Sequence, residues 1–229
     1  MVRNLIAAAA LAAIAGTSSA ATFTDSAGDE FTGAGGGILD ILSLDVSNDA
    51  TSISFQFTLA GNVDATDWGK YMVIIDGDTG GDTSGNGWGR PISLASGADR
   101  WLGSWVDSGN GLENRGWNGA GWDLLGATYN STPGLSITKG GNQVTLTVAI
   151  ADLGLALGDV ILFDAFSSGG GGGDTAIDSV ANPDFTVFGW GDSYQAGGGN
   201  PVLTYQLIPT PGAAGLVGLA GLVGLRRRR

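Results

Sequence analysis

Apolar and polar residues alternate with a period of two along several short stretches of this chain. Residues 51–59 (TSISFQFTL) place Ile53, Phe55, Phe57 and Leu59 on one face, the signature of a half-buried strand. Residues 38–46 interleave apolar side chains with Asp40, Ser43 and Asp45, and Ser47-Asn48-Asp49-Ala50 between the two runs predicts a hairpin turn. Tyr71-Met72-Val73-Ile74-Ile75 is apolar throughout, which predicts a central strand covered on both faces. Further strands are expected at 100–106, 122–128, 143–150, 160–166, 185–190 and 202–207. No window carries a long 3.6-residue apolar period, and residues 149–155 allow one short helical turn at most. The pattern predicts one all-β domain, an antiparallel β-sandwich of jelly-roll or immunoglobulin-like type.

Composition sharpens this picture. The 42 glycines favour turns over helix, and 20 of the 22 acids are aspartate, the turn-forming and calcium-ligating carboxylate. There is no cysteine, hence no disulfide framework and no thiolate chemistry. There is no histidine either, which removes Ser-His-Asp and Cys-His catalysis and imidazole-ligated zinc together. Five of the ten basic residues, Arg3 and Arg226 to Arg229, lie in the terminal segments. The rest of the chain therefore sets five basic residues against 22 acids, a balance that repels phosphate backbones and anionic membranes and argues against nucleic-acid binding.

Residues 1–20 read as a secretory signal peptide. Arg3 supplies the charged start and residues 5–15 the apolar region; Ser18-Ser19-Ala20 forms a small-residue cleavage site before Ala21. The domain is expected over 21–207. At the other end, Pro209-Thr210-Pro211 precedes fourteen uncharged residues, 212–225, and then Arg226, Arg227, Arg228 and Arg229. As a helix the apolar run would measure about 21 Å, short of a hydrocarbon core of roughly 30 Å, so a transient membrane hold is expected. The arginines should stay cytoplasmic and leave the domain outside.

Proline motif, apolar helix and arginine cluster over 208–229 together resemble the PEP-CTERM sorting signal of Gram-negative exported proteins, with Thr210 where that motif usually has glutamate. The resemblance implies processing by signal peptidase and an exosortase-type membrane protease, and delivery to a surface or extracellular matrix rich in polysaccharide. The body has a looser likeness. Asp25-Ser-Ala-Gly-Asp29, Ile38-Leu-Asp-Ile41, the 71–78 segment and Trp101/Trp105 are similar to family 9 carbohydrate-binding modules and DOMON-like domains. That likeness implies a sandwich that binds sugars or calcium and supplies no catalytic residues.

Two acid clusters are candidate calcium sites. Asp76, Asp78 and Asp82 stand at relative positions 1, 3 and 7 around Gly80 and Gly81. Close carboxylates repel one another unless a cation intervenes, and calcium takes six to eight oxygens. This is no EF-hand, because position 12 is Gly87. The competing interpretation is a solvated turn whose aspartates cap their own backbone. Asp25, Asp29 and Glu30 form the second cluster. Gly169 to Gly173 reads as a flexible loop tip, followed by Asp174, Asp178, Asn182 and Asp184, whose acids could converge on a cation.

Six of the seven tryptophans lie between Trp68 and Trp122. Trp88, Trp117 and Trp122 sit among Gly, Asn and Asp, where an indole platform for pyranose rings is expected; Trp101 and Trp105 share one face of a strand and read as core. No catalytic residue is singled out. The expected function is a non-catalytic, exported surface or matrix module binding calcium and polysaccharide. The alternatives are a matrix protein without a defined ligand, and a polysaccharide hydrolase using paired aspartates.

Overall fold

The structure, a computed structural model, describes residues 19–78, 80–183 and 187–209. Among the described residues there are fourteen strands. The first seven are β1 (Ser19–Thr24), β2 (Ile41–Asn48), β3 (Ser52–Leu59), β4 (Lys70–Asp76), β5 (Ile92–Leu94), β6 (Arg100–Trp105) and β7 (Gly111–Trp117). Then come β8 (Trp122–Ala127), β9 (Ser136–Gly140), β10 (Gln143–Ala149), β11 (Val160–Ser168), β12 (Asp178–Ser179), β13 (Tyr194–Ala196) and β14 (Leu203–Gln206). The protein is all-β: among the described residues the helical elements are single 3₁₀ turns, Thr128–Asn130 and Ile150–Leu153.

Two antiparallel sheets contain most strands. One has the order β1-β2-β3-β10-β9; the other runs β12-β11-β4-β6-β7-β8, with β14 pairing the first half of the β11 edge whose second half takes β12. The principal core draws on both. Ile53, Phe55, Phe57 and Leu59 of β3 are fully buried, as their alternation predicts, and meet Val73, Leu102 and Phe163 from the second sheet. Burying each large apolar side chain contributes about 1.5–3 kcal/mol, so this face carries much of the stability. The polar face of β3 pairs outward, Ser54 Oγ lying 2.8 Å from Thr147 Oγ1. The predicted hairpin joins β2 to β3, where Asp49 Oδ1 accepts the N–H groups of Thr51 at 2.7 Å and Ser52 at 2.8 Å.

The apolar run of β4 has a physical cause. Tyr71, Val73 and Ile75 enter the principal core, while Met72 and Ile74 enter a second, smaller one with Trp101, Phe166 and Tyr194. That second core is roofed by β5 and β13, which pair in parallel. Both faces of β4 are therefore covered.

The site is positioned by residues 38–41, which pass between the two sheets. Ile38 O accepts from the Tyr71 hydroxyl at 2.8 Å, and Leu39 O from Ser167 Oγ at 2.5 Å. Gly61 is required beside them, since a Cβ there would lie 2.4 Å from Ile38 N and 2.5 Å from Gly36 O. The strand expected at 185–190 is not strand over its described residues, 187–190. The glycine run 169–173 is tied down: Arg90 donates to Gly169 O at 3.2 Å and Asp174 O at 2.9 Å, and Gly171 N–H donates to Asp174 Oδ2 at 2.8 Å. Among the described residues no helix is long and apolar enough to cross a membrane.

Candidate metal centre

Four segments bring five carboxylates to the place where the β1–β2 edge of one sheet meets the β12 edge of the other. Asp25 directly follows β1, and its N–H still bonds Leu42 O at 3.0 Å. Asp29 and Glu30 lie in the loop beyond, Asp40 immediately precedes β2, and Asp178 opens β12. Oxygens of Asp25, Asp29 and Asp178 lie within 4.8 Å of one another, and so do oxygens of Asp29, Glu30 and Asp40. Ligands on opposite sides of a calcium ion stand about 4.6–5.2 Å apart, twice the usual 2.3–2.6 Å bond. Both groups fit that span.

Backbone donors fix several carboxylates in place. Asp178 Oδ2 accepts Ile41 N–H at 2.6 Å and its Oδ1 accepts Ser179 N–H at 2.7 Å. Asp40 Oδ2 accepts Gly28 N–H at 3.0 Å, and Gly28 holds the positive φ of 76° that its turn needs. Asp25 Oδ1 accepts Ser26 N–H at 2.9 Å. Other oxygens are buried without a hydrogen-bond partner: Asp25 Oδ2, Glu30 Oε2 and Asp40 Oδ1. Asp40 is only 6 % exposed and Asp178 is fully buried. Orphan oxygens in such surroundings are costly unless a cation or a proton satisfies them.

The electrostatics agree. Burial, followed by the charges of Asp29 and Asp40, pushes the Asp25 carboxyl up to about 7 against hydrogen bonds with Ser26 N–H and the Asp178 carboxyl. Burial and the charges of Asp25 and Asp29 hold Asp178 well above the ordinary carboxylate range. Glu30 is raised by burial and by Asp40, and Asp40 by burial. Asp164, fully buried on β11, is pushed up to about 7 by burial despite bonds from Ser179 Oγ at 2.7 Å and Ala165 N–H at 2.7 Å. The three ion pairs among the described residues, Lys70–Asp107, Arg115–Glu113 and Lys139–Asp67, all lie elsewhere. The donor set is all oxygen, which suits calcium and not zinc or copper.

The loop after β4 is arranged differently. Asp78 is exposed, while Asp82 pairs in a β-bridge with Ala98. Asp82 Oδ1 accepts Ser84 N–H at 2.9 Å and its Oδ2 accepts Trp122 Nε1–H at 3.0 Å. Burial opposes ionisation of Asp82, but these bonds outweigh it and lower its pKa. Asp76 is raised by burial, with Asp99 and Asp78 adding to it. Asp99 Oδ2 closes the loop by accepting Gly77 N–H at 3.0 Å and Asp78 N–H at 3.1 Å. Asp76, Asp78 and Asp82 are not among the described carboxylates gathered within 4.8 Å. Protein donors thus meet the carboxylates of Asp82 and Asp99 in this loop.

The tryptophans fall into two groups. Trp117 and Trp122 face each other across β7 and β8 with ring centroids 5.9 Å apart, both half-buried. Trp88 belongs to another cluster, 6.1 Å from Trp101 and 6.4 Å from Trp105. Trp101 is fully buried, as its strand position predicts; Trp105 is half-buried and lies 6.2 Å from exposed Tyr129. Glu113 binds this cluster, accepting Trp88 Nε1–H, Arg115 Nε–H and the Tyr129 hydroxyl, each at 2.8 Å.

Pro209 is the last described residue. Residues 1–18, and Thr210, Pro211 and Arg226 to Arg229, lie outside the described part, and the predicted cleavage point between Ala20 and Ala21 falls within β1. Comparison with known proteins returns no family model and no curated protein that matches the chain.

Proposed function

We propose that this chain is an exported, non-catalytic β-sandwich module of the cell surface or extracellular matrix, held together at one edge by calcium. The observation that carries the reading is the carboxylate cluster of Asp25, Asp29, Glu30, Asp40 and Asp178, built from segments far apart in sequence, with Asp40 and Asp178 buried. Calcium is scarce in cytoplasm and plentiful outside, so such a module completes its fold where the signal-like leader and the arginine-ended, PEP-CTERM-like tail would send it. Processing by signal peptidase and an exosortase-type protease, with a transient hold in the inner membrane, belongs to the same reading.

Calcium added to chelator-treated protein is expected to raise its melting temperature by several degrees, since a ligand that binds only the folded state stabilises it by mass action. An unchanged melting curve with calcium and with chelator contradicts the proposal.

A polysaccharide contact is the second part of the reading, and the half-exposed Trp117–Trp122 pair supports it. Retarded migration in polysaccharide-loaded gels that disappears when both are alanine is the expected result. Unchanged migration removes this contact and leaves the calcium reading intact.

A further inference from the structure

We infer that the cluster takes a pair of divalent cations sharing Asp29, and not a single ion; this rests on the calcium reading above. The ligands divide into two sets. Asp25, Asp29 and Asp178 gather in one, Asp29, Glu30 and Asp40 in the other, and no group of oxygens within 4.8 Å contains all five residues. An ion centred in either set is placed to bond three of the five residues. Asp29 is the residue common to both.

Each set presents its own unmet oxygen. In the second set it is Asp40 Oδ1, on a side chain 94 % buried whose other oxygen is anchored by Gly28 N–H, with Glu30 Oε2 beside it; in the first it is Asp25 Oδ2. A single ion in either set would leave the other orphan unsatisfied, against the rule that buried polar atoms find partners.

Charge leads to the same count. Five ionised carboxylates carry five negative charges; one divalent ion offsets two of them, and two ions offset four. The N–H groups of Ser26, Gly28, Ile41 and Ser179 already point at the cluster and offset that remainder. Ligation by several clustered carboxylates favours calcium, which takes six to eight oxygens, over magnesium, which keeps several waters.

The test is native mass spectrometry of the full chain in calcium acetate after chelator treatment, with Asp40→Asn and Asp178→Asn alongside. Two calcium ions on the wild-type chain, and one on each variant, is the expected result. A single ion on the wild type overturns the pair while leaving the calcium reading standing; no ion overturns both. The wild-type count does not depend on either variant folding, and circular dichroism in calcium checks that each variant does. Two ions retained by both variants would also overturn the assignment to these two sets.

Discussion

The backbone N–H of Ile41 donates to Asp178 Oδ2 over 2.6 Å, joining the first residue of β2 to the first residue of β12 across 137 positions of sequence. The bond fixes a buried carboxylate at the meeting of two sheets and aims it at Asp25 and Asp29. The contact therefore belongs to the fold and to the candidate site at once.

Asp178→Asn keeps the shape of the side chain and removes its charge. Without metal the variant should be more stable than wild type, because a charge buried among like charges is gone. With saturating calcium the order should reverse. At a hundredfold excess over Kd a lost site removes about 2.7 kcal/mol of ligand-linked stability. Paired denaturant melts in calcium and in chelator read both signs.

The pH dependence follows from the raised carboxyls. Asp25 and Asp164 titrate near 7 in the folded protein and near the ordinary aspartate value of 3.8 when unfolded. Between those values the folded state binds more protons than the unfolded one, so stability of the metal-free protein should fall as pH rises from about 4 to about 7 and level off above. Calcium competes with the Asp25 proton, so its affinity should rise over the same window, with protons released on binding. Titration calorimetry in buffers of different ionisation enthalpy measures that release.

The aromatic residues should separate by role. Trp101→Ala, at a fully buried position, should cost about 3–5 kcal/mol of stability. Trp117→Ala with Trp122→Ala removes a half-buried pair and should cost far less, while weakening polysaccharide retention roughly tenfold, about 1.4 kcal/mol. Chemical melts and affinity gels on the same preparations distinguish the two.

Cleavage between Ala20 and Ala21 would remove the first two residues of β1 and keep the pairs Ala21–Val46 to Thr24–Ser43. Mass spectrometry of surface-extracted protein should therefore show Ala21 as the first residue and a C-terminus lacking the four arginines. Deleting Arg226 to Arg229 should reduce the amount processed.

How much of this was legible in the sequence depended on whether each residue's partner was local. Alternation marks β3, and the apolar run marks β4 as central, because these side chains pack by simple facing. β7 was not foreseen. Its Glu113 and Asn114 are polar yet buried; Glu113 accepts from Trp88 and Tyr129, and Asn114 Nδ2 donates to the Asp152 carbonyl, partners far along the chain. β1 was hidden in a polar, glycine-rich stretch because it is an edge strand, held by ladder bonds and by Thr22 Oγ1–H donating to Asp45. Of the cluster, Asp25, Asp29 and Glu30 announce themselves by proximity. Asp40 and Asp178 join through sheet pairing that no local pattern records, although an aspartate enclosed by Ile38, Leu39 and Ile41 was a signal that could have been used. The Asp76 loop had the stronger spacing, but spacing does not reveal that Asp99, Ser84 and Trp122 already donate or accept there.

Anomalous diffraction from crystals grown in calcium tests the central claim most directly. The account predicts peaks at metal–oxygen distance from the carboxylates of Asp25, Asp29, Glu30, Asp40 and Asp178. Featureless density there, with Asp25 and Asp178 in direct contact through a shared proton, would contradict it.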